Sequence, residues 1–350
     1  TWSKKAIKES QKLGISKVAA SLEVDNFNRL PSQAELKLDA QAAYLYYASN
    51  ETIHGVEYFT EPVPPAGVPL ICDASSDFIS RPIDVTKYAM LYAGAQKNAG
   101  PAGVVVAVIR EDMLEKVPSN LPNLLDYKAL AEENSLLNTP PCWSIYIVGL
   151  VLKWVKELGG LEAVYKRNQE KAGLIYGTID ASGGFYKGHA KADRSLMNLT
   201  FRLPSEALEE QFASEAKKQD LIGLKGHRSA GGLRASLYNA LPVESAQMLA
   251  EFRITQQAHV LLANIPNIMR VSGKPAATDH LRDRADVPVY HGCPTAHGLQ
   301  QGQPEALEER QVAQAQRIGV EKRQVFVLNE AGKADAIRPS LRQVVDVIVV

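Results

Sequence analysis

The chain is poor in cysteine, with Cys72, Cys142 and Cys293 its only three. Three scattered thiols build no disulfide framework and fit a reducing, cytoplasmic setting. Long apolar runs are also missing. The longest, near Val104 to Ile109 and Val347 to Val350, fall far short of the ~20 residues that a membrane span needs. The N-terminus is charged, which reads as no secretory leader. Neither sign of charge is in excess, with 39 basic and 39 acidic residues, so nothing argues for nucleic acid or an anionic membrane as partner. Any anion must then be met by local positive charge. His280, His291, Cys293 and His297 fall close together, yet their spacing fits no common zinc pattern, and no metal site is expected.

What is present is a chain of 350 residues, 45% hydrophobic, enough for a sizeable core and about two domains. Its most informative segment is Tyr92-Ala-Gly-Ala-Gln-Lys97-Asn-Ala-Gly-Pro-Ala-Gly103. A lone lysine sits there in a bend of small residues, after one apolar strand and before another, Val104 to Ile109. An amine that must form an imine with an aldehyde cofactor needs such a rigid anchor and small neighbours. The same residues would also serve as an ordinary strand-to-strand turn. Upstream, Val68 to Asp73 reads as a short buried strand ending in an acid, at the strand end where ligands of open α/β sheets bind. Pyridoxal phosphate needs an acid to keep its ring nitrogen protonated and a lysine to hold its aldehyde, and Asp73 with Lys97 could supply both.

Seven blocks then occur in order: Ser49-Asn-Glu-Thr-Ile-His-Gly55, Asp73-Ala-Ser-Ser, Ser80-Arg-Pro-Ile-Asp84, Tyr92 to Asn98, Asn138-Thr-Pro-Pro141, Lys225-Gly-His-Arg228 and Gly231-Gly-Leu-Arg-Ala-Ser-Leu-Tyr-Asn-Ala240. Through these blocks, residues 1 to 253 resemble the phosphoserine aminotransferases, class-V enzymes of the aspartate-aminotransferase fold type (fold type I). The resemblance implies an α/β large domain with a mostly parallel sheet, an α+β small domain, pyridoxal phosphate as cofactor, and a homodimer. The implied reaction converts 3-phosphohydroxypyruvate and glutamate to O-phosphoserine and 2-oxoglutarate in serine biosynthesis, and relatives also act in pyridoxine biosynthesis. It assigns Lys97 as anchor and general base, and Asp73 to the pyridinium nitrogen. Trp2 would stack on the ring, and Thr52 and Gln96 would contact the cofactor, while Asn138 and Thr139 would reach the partner subunit's cofactor phosphate. His227 and Arg228 would bind the substrate phosphate, and Arg234 its α-carboxylate. Planar guanidinium donors suit such anions.

Two departures from the family pattern set further expectations. The match begins about 100 residues into a domain of usual family size, so the glycine-rich phosphate turn and a substrate-facing His-Arg pair are expected to be missing. A chain lacking them would be a poor enzyme, or a non-catalytic remnant or fusion with only an association or binding role. A different enzyme of the same fold, such as an alanine-glyoxylate aminotransferase or a cysteine desulfurase, is the other alternative; Lys225-Gly-His-Arg228 weighs against it. The second departure follows residue 253, where lysine dominance (19 to 9 arginines) turns into arginine dominance (8 to 3 lysines). Such a break reads as a tail of different origin that the catalytic fold does not need.

The expected division is thus a partial cofactor-binding domain over 1 to 160, a helix linker and small domain over 161 to 253, and the tail over 254 to 350. Within it, Ser3 to Leu13 reads as a basic amphipathic helix stopped by Gly14. Strands are expected near residues 43–47, 56–59, 69–72, 89–92 and 104–109. Thr139 reads as N-cap, with Pro140 in the first turn, before an apolar helix from Trp143 to Leu158, and a second helix follows from Leu161 to Thr178. Strands at 197–203, 221–225 and 233–237, with helices at 205–218 and 243–252, complete the small domain. Alternating apolar stretches at Val325 to Leu328 and Val344 to Val350 mark the tail.

Overall fold

The structure is a computed structural model that describes residues 2–252 and the backbone of 324–328 and 344–349. In chain order the strands are β1 (Ile15–Ser21), β2 (Tyr44–Ala48), β3 (Asn50–Glu51), β4 (Val56–Glu57), β5 (Leu70–Asp73), β6 (Met90–Gly94), β7 (Val105–Ile109), β8 (Lys187–Gly188), β9 (Asn198–Arg202), β10 (Leu233–Ser236), β11 (Gln324–Leu328) and β12 (Val344–Val349). The α-helices are α1 (Trp2–Leu13), α2 (Glu111–Leu114), α3 (Tyr127–Glu132), α4 (Cys142–Glu157), α5 (Gly160–Asp180), α6 (Glu206–Lys217) and α7 (Val243–Glu251).

Short apolar runs make the main sheet, because a strand covered on both faces needs no polar alternation. Its order is β1-β12-β2-β5-β6-β7-β11. Neighbours from β1 to β6 run parallel, and β7 is antiparallel to both β6 and β11. Leu45, Tyr47, Leu70, Cys72, Tyr88 and Leu91 fill one core around it. On another flank, Ile7 of α1 packs with Leu22, Phe27 and Tyr46. The small domain is the antiparallel sheet β10-β9-β8 with α5, α6 and α7. Its core stacks Phe201, Phe212 and Phe252 edge to face, pairs worth ~0.5–1.5 kcal/mol each beyond area burial. Ser205 opens α6 by accepting a bond from the Leu208 amide at 3.3 Å, as its residue type predicts.

Three local expectations are corrected. The helix itself lies where expected, at Cys142–Glu157, but Pro141 and not Thr139 holds the capping position, with no side-chain cap. The residue before a proline is disfavoured in helical conformation, so the Pro140-Pro141 pair pushes the start beyond Thr139. The expected strand over 221–225 is reduced to one bridge between Lys225 and Leu233, since Gly223 adopts a left-handed φ of 76°. The strand over 56–59 ends at Glu57.

The sheet order also gives the tail a part that its composition did not predict. β12 lies parallel between β1 and β2, pairing Ile15 with Val344 and Tyr44 with Val345. Among the described strands, β1 reaches the rest of the sheet only through it. Removing residues 324–350 would open the edges of β1, β2 and β7 together. Even at the low end of ~0.5 kcal/mol per backbone bond and ~2 °C per kcal/mol, the loss of these three ladders should lower the melting temperature by at least about 10 °C. Calorimetry of the shortened chain checks this; an unchanged transition would show that the sheet does not depend on the tail.

Candidate active site

Asp73 ends β5 and turns its carboxylate toward neutral donors. The Ser75 amide donates to Oδ1 at 2.9 Å, and the hydroxyls of Tyr92 and Tyr46 approach Oδ2 at 3.3 and 3.5 Å. Burial, and then the Asp73 charge, push both phenols well above their ordinary range, so they stay protonated and able to donate. The Ser75 hydroxyl accepts from the Gly94 amide at 3.1 Å, which ties the Asp73 turn to the strand leading to the lysine.

Lys97 sits in the turn between β6 and β7, closed by the Ala95 amide donating to the Val104 carbonyl at 2.9 Å. The small residues there have a packing reason. A Cβ on Gly100 would stand 2.8 Å from Val148 Cγ2 of α4, and Ala95, Ala99, Val104 and Val148 form one cluster. The Lys97 ammonium lies 5.6 Å from the centre of the Tyr238 ring. Gln96 is exposed and folds back over Gly94, where a Cβ would stand 2.5 Å from Gln96 Oε1.

The turn at Thr52 is pressed into the small domain. Gly55 has φ 72°, and a Cβ on it would stand 2.6 Å from the Asn198 carbonyl, so only glycine fits. Thr52 and His54 are buried, and the Thr200 hydroxyl donates to the His54 carbonyl at 2.9 Å. Arg234 of β10 reaches the Thr52 carbonyl at 3.5 Å through Nη1, while its buried Nε has no partner among the described residues. A buried guanidinium nitrogen left free is suited to an anion. Burial and the neighbouring His189 push His54 down to about 4, which leaves it neutral at pH 7. His227 Nδ1 accepts from the Ser229 amide at 3.2 Å in the loop before β10, and Arg228 beside it is exposed.

Asp73, Lys97 and Gln96 thus share adjoining strand ends, and Thr52 meets Arg234. Trp2 is 47% exposed, with the Lys5 ammonium over its ring at 4.3 Å. Asn138 donates to the Thr139 carbonyl at 3.4 Å. Among the described residues, no hydrogen bond or ion pair joins Trp2, Asn138 or Thr139 to Asp73 or Lys97. Tyr46, Tyr92, Ser75 and Tyr238 were not singled out from sequence, although all but Tyr46 lie inside the seven blocks. The group around His280 to His297 lies outside the described residues.

Beneath the site, Glu57 is fully buried. It accepts from the Leu196 amide at 2.8 Å and stands 3.7 Å from Arg81 Nε, while Arg81 also donates to the Tyr58 carbonyl at 2.6 Å. Asp77 is buried nearby and accepts from the Ser49 hydroxyl. Burial, and then the Asp77 charge, raise the Glu57 carboxyl well above the usual carboxylate range.

An acid and an amine on adjoining strand ends of a mostly parallel sheet, beside a small α+β domain that offers an arginine, define a pyridoxal-phosphate-dependent transferase. The sequence pattern described as Aminotransferase class-V matches residues 3–249. The chain belongs to this family, on its phosphoserine aminotransferase branch. The phosphoserine aminotransferase of Herpetosiphon aurantiacus is 50% identical over 253 residues, which cover 72% of this chain and 70% of the relative. The solved phosphoserine aminotransferase of Bacillus circulans subsp. alkalophilus superposes with a TM-score of 0.70 at 48% identity, covering 75% of this chain and 72% of that one. That of Trichomonas vaginalis, with pyridoxal phosphate bound, gives 0.67 at 38% identity and 72% coverage of each.

The buried Glu57 has a pH signature. Its folded pKa is raised, so its contribution to stability is full below the ordinary carboxylate range and is lost as pH rises through the raised value. Glu57→Gln should therefore flatten the fall of melting temperature between weakly acidic and mildly alkaline pH. Parallel profiles for both proteins would remove Glu57 ionisation as the cause.

Proposed function

We propose that this chain catalyses the transfer of an amino group from glutamate to 3-phosphohydroxypyruvate, giving 2-oxoglutarate and O-phosphoserine. The supporting observation is the shared placement of Asp73 and Lys97, with the free Nε of Arg234 buried beside Thr52. The residues present fit pyridoxal phosphate: Asp73 offers a carboxylate already oriented by neutral donors, and Lys97 an amine on a rigid turn. When bound, this cofactor supplies an electron sink for a substrate carbanion and a carrier for the amino group. Lys97 would hold it, then, once freed by substrate, carry the proton leaving the substrate Cα. Asp73 would keep a proton on the ring nitrogen through a charge-assisted bond worth ~1.5–3 kcal/mol. Thr52 and Gln96 would hold the cofactor, with Trp2 against its ring.

Arg234 would take the α-carboxylate common to both substrates, and His227 with Arg228 the phosphate of one. The same phosphate contacts would admit a phosphorylated hydroxythreonine precursor of pyridoxine. The reading includes a cytoplasmic homodimer. Trp143, Tyr146 and Leu150 support it, forming a stripe on α4 that is 67%, 48% and 43% exposed, just after Asn138 and Thr139. No helix of the described residues is long and apolar enough to cross a membrane.

Borohydride reduction of the protein mixed with pyridoxal phosphate tests the anchor. The phosphopyridoxyl group should appear on the peptide containing Lys97; label spread over surface lysines would sink the assignment. Specificity is tested by substitution. Arg234→Ala should weaken every amino-acid substrate by roughly 30- to 150-fold, the equivalent of about 2–3 kcal/mol. His227→Ala with Arg228→Ala should chiefly impair phosphoserine, and equal losses for glutamate would end that division of labour.

A further inference from the structure

Tyr238 has no role in the assignments above, yet three separate elements fix it in front of Lys97. Its hydroxyl accepts from Asn198 Nδ2 of β9 at 3.4 Å. The carbonyls of Leu237 and Tyr238 both accept from Lys171 Nζ, at 2.8 and 2.9 Å, and Lys171 of α5 is fully buried. The next residue is held as firmly. The Asn239 amide donates to Asn98 Oδ1 at 3.0 Å, Asn239 Nδ2 donates to the Ile79 carbonyl at 2.9 Å, and Asn168 Nδ2 donates to Asn239 Oδ1 at 2.9 Å. Asn98 also donates to the Phe78 carbonyl at 3.1 Å. The residues that follow Lys97 and Tyr238 are thus bonded to each other, which sets the amine and the ring face to face at 5.6 Å.

A buried lysine spent on two backbone carbonyls, with three asparagines around one peptide, is more than closing a turn requires. Resting on the proposed role of Lys97 as cofactor anchor, we infer that Tyr238 is the positioning residue for Lys97, its ring a fixed face that confines the amine whenever it is not covalently engaged. An aromatic face attracts an ammonium within about 6 Å. A lysine has four rotatable bonds, so a fixed attractive face keeps it within reach of one place. The attraction comes from the ring and not from the hydroxyl, whose 3.4 Å bond to Asn198 is the longest of these ties, and this separates the role from simple hydrogen-bonded packing.

The test uses the full chain with Tyr238→Leu, Tyr238→Phe and Asn98→Ala. Each is mixed with pyridoxal phosphate and reduced with borohydride, and the share of label on the Lys97 peptide is measured beside the circular dichroism of the bound cofactor's visible band. In Tyr238→Leu the Lys97 share should fall about three- to tenfold and the dichroic band weaken, whereas Tyr238→Phe should match the unsubstituted protein. A Tyr238→Leu protein with undiminished label and band overturns the inference. Asn98→Ala keeps the ring but frees its neighbour, and should lose part of the label; should Tyr238→Leu not fold, undiminished labelling of Asn98→Ala overturns it instead. Absence of label on Lys97 in the unsubstituted protein is a different result, which removes the anchor assignment and this inference with it.

Discussion

The arrangement depends on one buried seam, where residues 49–58 of the large domain press against residues 195–200 of the small one. Its tightest point is Gly55 beneath the Asn198 carbonyl. Around it, Asn50 donates to Asn198 Oδ1 at 2.8 Å, the Ser195 hydroxyl donates to Asn50 Oδ1 at 2.6 Å, and the Ser195 amide donates to the Gly55 carbonyl at 2.9 Å. The buried side chains of Asn50, Ser195 and Asn198 find partners of fixed geometry in this seam, and a network of that kind admits few alternatives. Thr52 and Arg234 come from opposite sides of the seam, and the site inherits its precision from it.

Much of this was legible in the sequence where a residue type has one dominant physical use. Apolar runs gave the central strands, and Gly159-Gly160, with φ of 102° and 79°, marked the break between α4 and α5. The acid at the end of β5 and the lysine among small residues gave the centre of the site. The rest depends on partners distant in sequence. β1 was missed because only Ala19 of its seven residues is buried, so no alternation shows. Thr139 was misread as a cap because the local signal ignored what a second proline does to the residue before it. Tyr46 and Tyr92 gain meaning only through parallel pairing that sets them beside Asp73, and Lys171 reads as one more surface lysine until its two carbonyls are seen.

Charge is handled differently at the surface and in the interior. Most ion pairs, such as Lys4 with Glu23 and Arg194 with Asp180, lie at the surface and carry little energy. Glu57, Asp77, Arg81 and Lys171 are instead enclosed around the active site, where each is tied to backbone or hydroxyl groups. Burial pushes Lys171 down to about 8, so its charge is held at a cost that the surrounding carbonyls offset. Buried polar groups of this kind give the loops around Asp73 and Lys97 a single conformation in place of a deeper apolar core.

The position of β12 reaches beyond the finished fold. Ile15 pairs with Val344, so the first strand of the sheet must wait for a neighbour about 330 residues later in the chain. During synthesis at ~5–20 residues per second, β1 and the facing edge of β2 would stand unpaired for roughly 15–65 s after β1 is made. Pairing over such a separation is slow to form, and an open parallel edge invites the wrong partner meanwhile. Among the described strands, then, the interval between β1 and β12 exposes a nascent chain to misassembly, and a chaperone that shields the open edge over that interval would raise the yield of folded protein.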